Sequence, residues 1–194
     1  MRKFIHDIKN KLWWSAEYEY PVPVTKDILK KNKLLAFNKE TSPEVRGRVW
    51  PFYVDKSPIS HNKENNSYWA IDFLVPVSTD ILAVQDGKVW VIKEDSNEHW
   101  RGSDFGDKAN YIIILHDNNM MSEYIHLDKW SVSELWLKPW DSVKKWQKIW
   151  KTWLSGWIDI PHLHFALYKN TRGTVHNVQI DFWRRIMTNF LSRK

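Results

Sequence analysis

The chain has 194 residues, with 29 Lys and Arg against 23 Asp and Glu, for a formal net charge of +6. A hydrophobic fraction of 43% and a charged fraction of 27% describe a globular chain of about one domain, not a disordered one. Cysteine is absent, which excludes disulfides and leaves His, Asp and Glu as the available zinc ligands.

Residues 1–45 are polar and lysine-rich and read as an N-terminal extension. The start, Met1-Arg2-Lys3, is basic but has no apolar stretch behind it, so no signal peptide is expected. Thr25 is placed to cap a helix carrying Ile28, Leu29, Leu35 and Phe37. Strand signals dominate the following part, 46–176, which reads as the main domain. Ala70–Val75 and Asp80–Val84 come first, then an Asp86-Gly87 turn into Lys88–Ile92. Glu94–Lys108 is a long polar loop. Tyr111–Leu115 and Glu123–Leu127 are further strands, and residues 177–194 form a C-terminal helix with the stripe Ile180, Trp183, Met187 and Phe190. No apolar run approaches the roughly 20 residues that cross a bilayer, so no membrane span is expected. The lysines are dispersed, and no nucleic-acid partner is expected.

Tryptophan usage is abnormal, with 14 Trp against only 6 Gly. Several Trp stand where a turn residue belongs. In Pro139-Trp140-Asp141, a glycine at the middle position would make a Pro-Gly turn. Trp130, Trp136, Trp146, Trp150 and Trp153 have similarly turn-like neighbours, and Trp100 and Trp69 join this group. Bare indoles at positive φ would be strained. Some bacterial lineages read UGA as glycine, and a translation that reads UGA as Trp would produce this pattern. Trp90 and Trp183 fit strand and helix patterns as genuine tryptophans, while Trp13, Trp14, Trp50 and Trp157 are not decided by their neighbours. The competing reading is an aromatic surface that stacks on sugars or bases.

Chemistry concentrates in Pro161-His162-Leu163-His164-Phe165. On a strand, alternate side chains share a face, so His162 and His164 project together while Leu163, Phe165 and Leu167 face a core. Two imidazoles on one rigid strand suit a metal site or a ligand–base pair; two solvated histidines are the bland alternative. An amidohydrolase barrel fits less well, since that fold typically takes about 250 residues.

Taken in order, His61, Ala70-Ile71-Asp72-Phe73, Tyr124-Ile125-His126-Leu127 and Pro161–Phe165 resemble the lysostaphin/LytM-type zinc metalloendopeptidases, which cleave peptide bonds in bacterial peptidoglycan. Pro76–Ala83 with Asp86-Gly87-Lys88-Val89 is similar to another family stretch. Leu137–Ile149 looks like its Gly-Asp-x-Val-x-x-Gly-Gln-x-Ile, with Trp140 and Trp146 at the two glycines. The resemblance runs from about Ser60 to Tyr168. It implies a mainly β fold, a small antiparallel barrel-sandwich hybrid of the duplicated hybrid motif type. It also implies one Zn2+ per chain held by His61, Asp72 and His164, with His126 and His162 as catalytic histidines and a peptidoglycan peptide as substrate. The ten residues between His61 and Asp72 exceed the family's shortest spacing. Two His and one Asp leave a fourth position open, the pattern of a catalytic zinc. His116 reads as structural, supporting the site from behind. That substrate implies work outside the cytoplasm. A degenerate member that binds peptidoglycan or regulates another hydrolase is the alternative.

Overall fold

The computed structural model describes residues 18–37, 46–55 and 60–180. The expected C-terminal helix falls largely on residues outside this set. Thr25 caps α1 (Lys26–Ala36) as expected, its hydroxyl accepting the Ile28 N–H at 3.2 Å. The strands that follow are β1 (Arg46–Val49), β2 (Phe52–Asp55), β3 (Ile71–Phe73), β4 (Asp80–Leu82), β5 (Gly87–Lys93), β6 (His99–Trp100) and β7 (Tyr111–Leu115). Then come β8 (Met120–Ile125), β9 (Ser142–Val143), β10 (Lys148–Lys151), β11 (Gly156–Trp157), β12 (Leu163–Thr171) and β13 (Thr174–Asn177). The polar Glu94–Lys108 segment carries β6 and a short 3-10 helix, Ser103–Lys108.

The fold is mainly β and its large sheet is antiparallel, as the sequence implies. The strand order is β1-β2-β3-β12-β8-β7-β5-β9, with β13 adding to β12. β4 pairs with β10, and β6 with β11 in parallel. Alternation decides which face is dry. Leu163, Phe165 and Leu167 of β12 join Phe52, Val54, Ile71, Phe73, Tyr124, Ile112 and Ile114 in one core. Ile81, Ala83, Ile149 and Trp150 pack against them from the β4–β10 side, and Tyr18 and Val22 from the N-terminal side. Full burial of each such aliphatic side chain is worth about 1.5–3 kcal/mol. The residues between them in sequence, Asp72 and His164, must therefore emerge together on the opposite face.

Backbone conformation divides the turn-placed tryptophans. Trp130, Trp136, Trp140 and Trp146 have φ of 62°, 58°, 75° and 65°. Trp150 instead lies in β10, fully buried, with its indole N–H donating to the Asp128 carbonyl at 2.7 Å. Trp69, Trp100 and Trp153 are likewise not left-handed.

Candidate metal centre

The site is built at the middle of the sheet. Asp72 of β3 is the direct cross-strand neighbour of His164 of β12, which in turn faces Ile125 of β8. His61 arrives from a loop that ties itself together. Ser67 Oγ and Asn65 Nδ2 both donate to the Ser60 carbonyl, at 2.6 and 2.7 Å, and the Ser67 N–H donates to Asn62 O at 3.1 Å. This brings His61 Nε2 to 3.2 Å from Asp72 Oδ2 and 3.3 Å from His164 Nδ1. His164 Nδ1 lies 2.8 Å from Asp72 Oδ1. All three residues are buried, and one ligand atom from each falls within 4.8 Å of the others.

Electrostatics couple these side chains tightly. Burial works to raise the Asp72 carboxyl, but the charges of His162, His164 and His61 outweigh it and leave it well below the usual carboxylate range. For His164, burial favours the neutral ring. The Asp72 charge, the hydrogen bond to it and the more distant Glu123 reverse that preference and raise its pKa. Meanwhile the second nitrogen of His61, Nδ1, is buried without a partner. Two imidazole nitrogens and a carboxylate oxygen converging in a dry site fit the donor set of a zinc with an open fourth position.

The other two histidines stand beside this triad and are oriented by main-chain carbonyls. His126 Nδ1 donates to Ser155 O at 2.7 Å, and His162 Nδ1 donates to Ile160 O at 2.8 Å. In a neutral ring whose proton is held on Nδ1, Nε2 is left free to accept, and this is the state of His126. His162 Nε2 points at the cluster, 3.7 Å from Asp72 Oδ1. The His126 and His162 rings meet edge-on at 4.6 Å, and His126 lies 6.2 Å from the His164 ring. Burial, reinforced by the charges of His162 and His164, pushes the His126 pKa down to about 3 and keeps the ring neutral. Its φ of 67° places it in the left-handed region just past the end of β8, a strained conformation of the kind that clusters at functional sites.

A buried polar network holds the Ser155 carbonyl in place. Asn110 Nδ2 donates to Ser96 O at 2.7 Å and Leu127 O at 3.1 Å, while the Asn110 N–H donates to Ser155 Oγ at 3.1 Å. Ser155 Oγ donates to Leu127 O at 3.0 Å. The sequence reading missed both Asn110 and Ser155, because neither lies in a metal-like pattern and their value comes from contacts across 45 residues of chain.

His116 sits elsewhere. Its ring contacts Asp86 O at 2.9 Å and Ser122 Oγ at 2.7 Å, and Ser122 donates to Tyr124 Oη at 3.1 Å, on the core side of β8. Burial lowers its pKa, so the ring serves as a neutral polar strut. His99 and His176, both exposed, join no metal-like cluster among the described residues.

The sequence profile of peptidase family M23 matches residues 66–176, more than half of the chain, and the chain belongs to this family. Among its relatives is the peptidoglycan DD-endopeptidase ShyB of Vibrio cholerae, 29% identical over 136 residues, covering 70% of this chain and 25% of that protein. An uncharacterised metalloprotease of Buchnera aphidicola is 32% identical over 107 residues, covering 55% of this chain and 24% of the relative. The catalytic domain of the antimicrobial peptidase lysostaphin from Staphylococcus simulans aligns with a TM-score of 0.46 at 21% identity, over 68% of this chain and 86% of that one. The chain thus spans about a quarter of the length of the curated relatives it matches.

Proposed function

We propose that the chain is a zinc-dependent metalloendopeptidase that hydrolyses peptide bonds in the stem peptides or cross-bridges of bacterial peptidoglycan. The observation that carries this reading is the convergence of His61, Asp72 and His164 beside two further imidazoles whose Nδ1 atoms are anchored to main-chain carbonyls. Family membership supports it, and the peptidoglycan substrate extends what the ShyB name says of that relative.

In this mechanism His61, Asp72 and His164 hold the metal. When bound, zinc supplies Lewis acidity that polarises a carbonyl and makes water acidic near neutral pH. The chain's own residues do the rest. His126 and His162 are placed to accept a hydrogen bond at Nε2, and one of them takes up there the proton that the attacking water gives up as its oxygen bonds to the carbonyl carbon. Once protonated, the same Nε2–H donates to a developing oxyanion or to the leaving amine. The Ser155 and Ile160 carbonyls keep both rings in one tautomer and orientation throughout.

The test is metal analysis of the purified chain alongside release of peptide fragments from purified peptidoglycan. About one zinc per chain and cleavage that a chelator abolishes and zinc restores are expected. Stoichiometric zinc without cleavage would instead favour a wall-binding member of the family. Absence of zinc would overturn the reading.

A further inference from the structure

The four left-handed tryptophans have no physical reason to be tryptophan. Eleven of the 14 Trp lie among the described residues, and four of these have positive φ, against two of the six glycines. Only a few per cent of non-glycine residues adopt this region, and Asn, Asp and His lead among them. Each of the four sits at a position with a specific demand. The Asp141 N–H donates to Lys138 O at 3.1 Å, closing a turn with Pro139 second and Trp140 third. The Gln147 N–H donates to Lys144 O at 2.9 Å, closing a turn with Lys145 second and Trp146 third. In both, φ is positive at the third residue and not at the second, which is the type II turn and asks for glycine third. Trp136 ends the 3-10 helix Ser133–Leu135 in the left-handed cap position where glycine predominates. Trp130 opens that same loop, its N–H bonded to Glu94 O at 3.2 Å.

Nothing offsets the strain. The four side chains are 52%, 82%, 65% and 57% exposed, so their indoles add no core. The Lys129 and Lys145 ammonium groups lie 5.4 and 5.2 Å from the indoles of Trp130 and Trp146, but these are exposed contacts between chain neighbours. By contrast the backbones are fully engaged. The Trp140 N–H bonds Val89 O at 2.6 Å, and the Trp146 N–H bonds Ala83 O at 2.8 Å. The turns are required by the sheet and the side chains are not. An aromatic binding surface would need indoles held by their surroundings, and these are held only by their own main chain.

We propose that positions 130, 136, 140 and 146 are occupied by glycine in the protein as its own cell makes it, the codon there being UGA translated as glycine. The inference concerns the covalent chain and stands whether or not the chain is a hydrolase. The decisive measurement is peptide mass spectrometry across residues 130–146 of the chain purified from its native cells, compared with the gene's codons. Masses showing hydrogen in place of the indolylmethyl group at each of the four positions, and UGA codons, are expected. Tryptophan masses there, or UGG codons, would overturn it. An independent check compares the chain bearing all 14 Trp with the quadruple variant Trp130→Gly, Trp136→Gly, Trp140→Gly, Trp146→Gly by denaturant titration. The variant should gain about tenfold per site in its folding equilibrium. A variant no more stable than the parent would count against the proposal.

Discussion

At the level of single residues, the strongest expectation concerns His126. It lies outside the His61–Asp72–His164 cluster, its ring is neutral, and its Nε2 is left bare by the Ser155 anchor. Because its φ is 67°, the right probe is His126→Asn, since Asn tolerates left-handed backbone where alanine does not. This variant should keep its zinc while kcat falls about 10²–10⁴-fold, the usual worth of a positioned acid–base group. His162→Ala should behave likewise. His164→Ala should lose the metal itself, and metal analysis beside steady-state kinetics separates the two outcomes. His162 and His164 stand out in the sequence because they alternate with Leu163 and Phe165, and Asp72 and His126 lie in apolar, strand-like runs, whereas His61 sits among polar residues and is singled out only by the family resemblance. Asn110 and Ser155 were not readable, since a buried amide that satisfies carbonyls from two distant segments, at Ser96 and Leu127, leaves no periodic trace in the chain.

Among the elements, α1 shows how a modest helix is secured. Asn32 is buried, donating to Tyr53 O at 2.8 Å and Leu74 O at 2.7 Å while its Oδ1 accepts the Tyr53 N–H at 2.8 Å. One side chain thus clamps the helix onto β2 and the residue just past β3, two residues beyond Asp72. Asn32→Ala strands these groups and should cost about 1–3 kcal/mol, read as a lower denaturation midpoint with an unchanged m-value. The helix itself was legible from Thr25 and the apolar spacing after it. The clamp was not, because Lys31-Asn32-Lys33 reads as a solvated face. Strand β7 was found at its expected bounds, Tyr111–Leu115, since a run of β-branched residues in a buried sheet has few other options. By contrast β8 begins at Met120, earlier than the sequence suggested, and His126 falls outside it. A positive φ at a non-glycine residue is a tertiary imposition that local propensity cannot announce.

For the whole molecule, sheet register and metal binding are one problem. The apolar faces of β3, β8 and β12 close the core, and the same alternation forces Asp72 and His164 onto the other side. Removing zinc with a chelator should therefore lower the melting temperature without unfolding the sheet. The native state gives up about 2.7 kcal/mol when the free metal had stood at 100 times its dissociation constant. Calorimetry with and without chelator checks this, and two-state melting should persist in both. Two of the three proposed donors are rungs of the sheet's own ladder, whereas the third rides on a segment with no regular strand of its own. His61 is held by the turn that Asn65 and Ser67 close on the Ser60 carbonyl, so on the proposed ligand set a change that loosens that turn should weaken metal binding while leaving the Asp72–His164 pair in register.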